Sequence, residues 1–319
     1  MTAIRVGIVT VTFNGANVLD DFLASMEGLV GISTRLYAVD NASIDSTLEL
    51  LSNYSERCPL VLIRNIDNAG VAVGNNQGIE AALADGCDWV LLLNNDTVFS
   101  ARFVADLVAV AEGNNLDILS PLIEATEPTA TTWYSDGVIQ PFKAMKATHL
   151  GMGNPISHQL PVVRTVDYAS TCALLVRPSV FARVGLMDPV YFVYGDDVDF
   201  CIRAKRGGFN YSVAGQVILR HKASSMTGEF TGPFAVRWIS RNWVVVARRH
   251  CTPIQLVIGS LYMIAWTGAR ALLRRESLAV TVSRVKAFVE GWQVSLKAPA
   301  PLLSMIHSDL NLRKVEGNV

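Results

Sequence analysis

The sequence predicts an α/β fold built on a parallel sheet with helices on both faces. Three observations carry this. Short β-branched runs alternate with helical patterns through residues 1–120. The runs are continuously apolar, as strands covered on both faces must be. Asn, Asp, Ser and Gly gather where each run ends, at the edge where open α/β sheets hold ligands.

Strands are expected at Arg5–Thr12, Arg35–Asp40, Leu60–Arg64 and Trp89–Leu93, and helices at Asn17–Met26, Ser46–Tyr54, Val71–Ala84 and Ala101–Glu112. Strand–helix alternation of this kind marks βαβ units. The strands run into Thr12-Phe13-Asn14-Gly15, Asp40-Asn41-Ala42-Ser43, Asn68-Ala69-Gly70 and Asn94-Asn95-Asp96. Any one such loop is ordinarily a turn or a helix cap. Four in succession point to a shared site. Pro121–Thr165 is less regular and rich in Gly and Pro, and reads as a long connection. Strand character returns at Val166–Val176, and Pro178 suits the first turn of a short helix.

The chain has 319 residues, enough for one large domain or a domain with an appendage. Half of it is apolar, which excludes global disorder. A net charge of −1 gives no electrostatic reason to expect nucleic acid. Five cysteines without CxxC spacing argue against a disulfide framework or a zinc site and fit buried reduced thiols in a cytosolic protein. The N-terminus enters a strand pattern at once and shows no secretion signal.

Asp196, Asp197 and Asp199 lie just ahead of a helical pattern, Val198–Arg206, closed by Gly207-Gly208. Asp196 suits an N-cap and Asp199 the first turn. Capping leaves at least one carboxylate without a structural task. Three carboxylates this close repel one another and raise a proton affinity, which is how a general base is tuned. His221 follows a strand-like run, and an oxygen-rich candidate metal site already exists at Asp96.

In order, VTFNG (11–15), VDNAS (39–43), NAGVAVGNNQG (68–78), LLLNNDTVF (91–99), FVYGDDVDFCIR (192–203) and HKASS (221–225) resemble the motifs of inverting family 2 glycosyltransferases with the GT-A fold, near the bacterial rhamnosyltransferase branch. Their span covers roughly residues 4–250. The resemblance implies a mixed sheet flanked by helices in a catalytic domain at 1–230, with donor and acceptor halves meeting near 120, and a helical extension at 231–319. It implies a nucleoside diphosphate sugar as donor. Thr12, Asn14, Asp40 and Asn68 would hold base and ribose, and Asn76 would line the donor pocket. Asn94-Asn95-Asp96 stands where the family has Asp-x-Asp, so Asn94 and Asn95 face the donor and Asp96 binds Mg²⁺ or Mn²⁺. Asn94 in place of aspartate removes one negative charge. His221 is an additional ligand in this reading. Asp197 is the catalytic base, Asp196 supports the acceptor site, and Asp199 serves the helix or nearby basic groups. The acceptor implied is a glycan or polyprenyl-linked glycan at the inner face of the cell membrane.

Beyond His221, Arg237–His250 reads as a helix, followed by the uncharged run Ile254–Ala269 between clusters of arginine. That run is shorter than the ~20 residues that span a bilayer. Three readings stay open: a core helix, an interfacial helix with Trp266, Tyr262 and residues 254–275 at lipid headgroups, or an inserted one. The same apolar surface suits a homodimer. Two rival functions remain. A nucleotidyltransferase needs a basic Gly-rich loop, which TFNGAN is not. A non-catalytic sugar- or nucleotide-binding module has no use for Asp197.

Overall fold

A computed structural model of the chain describes residues 3–156, 160–222 and 232–296. Strands β1 (Arg5–Thr12), β2 (Ser33–Asp40), β3 (Leu60–Arg64) and β4 (Trp89–Leu93) are linked through α1 (Ala16–Glu27), α2 (Thr47–Ser55) and α3 (Val71–Ala84). All their pairings are parallel: β1 with β2, β2 with β3, and β1 with β4. This half follows the sequence expectation almost to the residue. A Cβ on Gly78 of α3 would lie 2.3 Å from Val9 Cγ1, so glycine lets this helix lie directly on β1.

The chain continues through β5 (Thr97–Phe99), α4 (Phe103–Gly113), β6 (Ile118–Ala125), β7 (Thr131–Tyr134), β8 (Gly137–Gln140), β9 (Lys146–His149), β10 (Arg164–Val166) and β11 (Ala173–Val176). Then come α5 (Pro178–Val184), α6 (Asp196–Arg206) and β12 (Tyr211–His221). The large sheet runs β10-β12-β6-β11-β4-β1-β2-β3, with β5 on β12 and β7 on β6, while β8 and β9 form a separate hairpin. β11 is antiparallel to both β4 and β6, so the sheet is mixed, not wholly parallel.

Two sequence expectations need correction here. Pro121–Thr165 is not a simple connection: β6 lies within the sheet and three further strands follow it. Pro121 masked β6, because proline gives no N–H to a ladder. It pairs with Ala214, where the register of β12 breaks between Ala214 and Ile218. The strand expected over Val166–Val176 is two short strands, separated by a segment that carries Tyr168.

The main core extends from Val6 to Leu219 across this sheet. Three helices follow: α7 (Pro233–His250), α8 (Pro253–Leu272) and α9 (Leu278–Gln293). They build two smaller clusters, around Tyr191, Val245 and Val246, and around Ala144, Val244 and Met263. α8 buries only Gly259, Met263 and Thr267, so Ile254–Ala269 is not a core helix. Among the described residues no helix is long and apolar enough to cross a membrane. Trp266 and Tyr262 do not point outward as the interfacial reading supposed. Their rings pack edge-on against Trp243, with centroids 5.7 and 6.1 Å away. Among the described residues all five cysteines are unpaired; Cys87, Cys172 and Cys201 are buried, whereas Cys58 and Cys251 are partly exposed.

Candidate active site

The run Trp89–Leu93 is wholly buried, and the chain then turns through Asn94, Asn95 and Asp96 into β5. β5 pairs antiparallel with the end of β12, placing Thr97 opposite His221. That ladder sets His221 Nε2 3.1 Å from Asp96 Oδ1, with both side chains buried. Burial disfavours the imidazolium, but the Cys172 sulfur and the Asp96 carboxylate outweigh it and push His221 up to about 10. Asn95 is buried beside them with its Nδ2 unpartnered, while Asn94 is exposed. One carboxylate and one imidazole are a partial donor set for a hard divalent cation. No group of three or more His, Cys, Asp or Glu that could hold a metal stands together among the described residues. The pair fits a cation held together with its substrate, where the metal replaces the imidazolium as the counter-charge to Asp96.

The acidic cluster opens α6. Its N-cap is Gly195, in left-handed backbone, and Asp196 is the first helical residue; the sequence-based assignment of Asp196 as the cap is corrected. Tyr194 also has positive φ, so two successive residues hold the chain in a sharp bend. Asn242 of α7 clamps that bend by donating to Val193 O and Tyr194 O, at 2.9 and 2.7 Å. Asp196 is buried and its Oδ2 has no partner. Burial and the charge of Asp197 push its carboxyl up to about 8. Asp197 keeps partial exposure; its Oδ1 accepts from Val198 N–H at 2.8 Å and its Oδ2 from Tyr168 O–H at 2.5 Å. Burial raises its pKa, and these two donors work in the opposite direction. Asp199 is fully buried and bonded to Arg203 and to His250, each at 2.7 Å.

An aromatic wall connects the two acidic centres. His221 lies against Trp133, Trp133 against His149 and His149 on Tyr168, with centroid separations of 4.5, 4.8 and 5.7 Å. Tyr168 then reaches Asp197. Burial and the charge of Asp197 keep the phenol protonated, so it is the donor in that bond. Sequence reasoning missed Trp133, His149 and Tyr168. Trp133 and His149 sit in four-residue strands, β7 and β9, and Tyr168 lies between β10 and β11, all stretches too short for a period to mark them.

The loops after β1, β2 and β3 meet on the other side. Asp40 is buried; Oδ1 accepts from Thr12 Oγ1 at 3.1 Å and Oδ2 from Ser43 N–H at 3.0 Å. Asn14 is exposed and bridges the first two loops, receiving Ile44 N–H on Oδ1 and donating its own N–H to Ser43 Oγ. Asn68 Oδ1 accepts from Gly70 N–H, bending the third loop. Gly70 abuts the acidic loop: a Cβ there would lie 2.4 Å from Phe192 O, and its φ of +86° is the left-handed region that glycine tolerates. The third loop is thus packed against the segment that carries Asp196 and Asp197, and Asn41 ties the second loop to it by donating to Gly70 O. Asn76 is a correction. Its Nδ2 donates to Met187 O at 2.8 Å and its Oδ1 accepts from Met187 N–H at 2.9 Å, so a buried amide ties α3 to the chain ahead of α6 instead of lining a donor pocket. In HKASS, residues 223–225 lie outside the described residues.

Comparison with known proteins agrees with this architecture. The family profile described as glycosyl transferase family 2 matches residues 7–180. The chain is 28% identical over 297 residues to an N-acetylglucosaminyl-diphospho-decaprenol L-rhamnosyltransferase of Mycobacterium tuberculosis, covering 84% of this chain and 94% of that one. It is 24% identical over 223 residues to the low-salt glycan biosynthesis hexosyltransferase Agl10 of Haloferax volcanii, covering 66% and 68%. Among solved structures it resembles GalNAc-T7 with UDP, GalNAc and Mn²⁺, with a TM-score of 0.61 at 15% identity; the match covers 77% of this chain and 48% of that longer one. A mixed sheet flanked by helices, a family match over more than half the chain and rhamnosyltransferase relatives lead to one conclusion: this chain belongs to glycosyltransferase family 2 and has the GT-A fold.

Proposed function

We propose that the protein is an inverting glycosyltransferase that moves a sugar from a nucleoside diphosphate donor to a hydroxyl of a lipid-linked glycan in cell-surface polysaccharide synthesis. L-Rhamnose from dTDP-rhamnose is the first donor to test, since the rhamnosyltransferase relative spans most of both chains. The observation that carries the proposal is the pairing of two acidic centres along one aromatic wall, Asp96 with His221 at one end and Asp197 at the other. A nucleotidyltransferase or a passive binding module does not account for a largely buried carboxylate poised beside a phenol donor.

In this reading Asp197 takes the proton from the acceptor hydroxyl as that oxygen attacks the anomeric carbon. The nucleoside diphosphate leaves from the opposite face, and the configuration inverts. Tyr168 holds Asp197 in place, and Asp196 shapes the acceptor side. Thr12, Asn14, Asp40 and Asn68 frame the nucleoside, and Asn94 and Asn95 face the diphosphate. Asp96 and His221 would hold Mg²⁺ or Mn²⁺, which would supply positive charge against the departing diphosphate. Screening nucleotide sugars for hydrolysis and thermal stabilisation tests the donor assignment. Asp96→Ala is expected to abolish the Mn²⁺-dependent part of nucleotide binding in calorimetry. Equal binding by variant and wild type, with and without Mn²⁺, would remove Asp96 from the cation site.

The same reading places the protein at the inner face of the cell membrane. Ile254, Val257, Leu261 and Ile264 on α8, and Leu278, Val285 and Trp292 on α9, are exposed. Residues 253–296 hold five basic and two acidic side chains, a balance suited to anionic lipid. The full-length protein is expected to float with anionic vesicles, and Leu261→Asp with Ile264→Asp to leave it in the dense fraction. A homodimer built on this face would instead sediment as two copies and ignore the vesicles.

A further inference from the structure

A cavity of about 200 Å³ lies between the β8–β9 hairpin, the start of α6, and α7, α8 and α9. Gly195 and Val198 form part of its wall, flanking the turn that bears Asp196 and Asp197. The rest is largely apolar, with Met145, Trp243, Val246 and Trp266. Lys146 lines it as well. Its Nζ stands over the rings of Trp266 and Trp243, at 5.4 and 6.0 Å from their centroids. No acidic side chain pairs with Lys146 among the described residues; its contacts are aromatic. Burial and the charges of Lys143 and Arg270 lower its proton affinity, the mark of a cation held among like charges.

The surroundings repeat this imbalance. Lys143 stands over Tyr262 at 5.6 Å. Arg270 and Arg284 both bond to Glu276, at 2.9 and 3.0 Å. Lys146 and Arg284 thus line a chamber walled by tryptophan, with Lys143 and Arg270 near Lys146 and Glu276 held by the two arginines. The chamber adjoins α8 and α9, whose outer faces are the exposed apolar surface already described.

We infer that this cavity seats the diphosphate and first isoprene units of a prenyl-diphosphate-linked acceptor. This rests on the reading of the protein as a transferase with a lipid-linked acceptor, and it places that acceptor. Lys146, with Lys143, meets the diphosphate; Trp243 and Trp266 flank the first isoprene units; the remaining chain leaves over α8 and α9. A diphosphate diester carries two negative charges, which match the two lysines, one in the wall and one beside it, and lysine is a point-charge partner for phosphate. The sugar attached to that diphosphate then lies toward Asp197, while the donor occupies the loops of β1–β4.

The probe is farnesyl diphosphate, titrated calorimetrically into the full-length protein in EDTA below its micelle concentration, with farnesol and inorganic pyrophosphate as parallel arms. Farnesyl diphosphate is expected to bind at least tenfold more tightly than either. Lys146→Ala should weaken it tenfold or more, and the exposed-site variant Lys143→Glu several-fold, a control that does not disturb the packed cavity. Mn²⁺-dependent dTDP binding should stay at the wild-type level in both variants. Three results overturn the inference: pyrophosphate matching farnesyl diphosphate, farnesol matching it, or affinity unmoved by both substitutions. Loss of nucleotide binding by the wild-type protein, with the prenyl diphosphate result intact, would strike the transferase reading and leave the site standing.

Discussion

Asp197→Asn should lower turnover by a factor of about 10² to 10⁴, the usual contribution of a positioned general base. Nucleotide binding should survive, because Thr12, Asp40 and Asp96 belong to other elements. The asparagine oxygen can still accept from Val198 N–H while its amide N–H donates to the Tyr168 oxygen, so the loop keeps its shape while the base is lost. Near-normal turnover would end the assignment. The pH profile gives a second readout. Burial raises the proton affinity of both Asp196 and Asp197, and their titration is shared. A base works only when ionised, so wild-type kcat should climb as pH rises through an apparent pKa above the ordinary carboxylate range, then level off. Stability follows the opposite sign. A carboxyl whose folded pKa is raised favours the fold below its unfolded value, and that support is lost as pH rises through about 8 for Asp196. Ionising the site therefore activates the enzyme and loosens it together.

The largest stability effect is expected at Asp199. Asp199→Ala leaves Arg203, His250 and Arg249 facing a buried space without their carboxylate, which bonds or approaches all three. Breaking a buried ion pair by removing one partner costs about 3–5 kcal/mol. The denaturation midpoint should fall accordingly, with the slope unchanged. Burial opposes ionisation of Asp199, but His250 and Arg203 outweigh it and hold the carboxyl below its ordinary value. Its contribution is therefore complete above the unfolded carboxylate pKa near 3.9 and fades as pH falls through the depressed folded value. The gap between variant and wild type should narrow in that acidic window. A constant gap from pH 7 to pH 3 would show that packing, not charge, holds the site.

The parallel half of the sheet was legible because its strands are unbroken β-branched runs and its helices keep a clear period. The mixed half was not. β6 carries Pro121, and proline in a sheet interior reads as a break until the bulge opposite it is seen. Asp96 and His221 stood out as chemistry, yet only the β5–β12 pairing shows how residues so far apart in sequence meet. Asn76 misled because a helical amide looks the same whether it faces a ligand or a neighbouring backbone. Trp266 and Tyr262 misled because an aromatic residue in an apolar run does not reveal which side of its helix finds Trp243. Tyr168 and His149 carry no pattern at all. Their place beside Asp197 comes from tertiary contacts alone.

The spacing between Asp96 and His221 is inherited from three rungs of backbone pairing, Phe99 with Leu219, Val98 with Arg220 and Thr97 with His221. A slip of one rung would turn the imidazole to the far side of the strand. The surrounding turns, by contrast, can be lengthened or rewritten without touching that alignment. In the proposed reaction, the grip on the charged leaving group would therefore be set by backbone pairing and not by the conformation of any one turn.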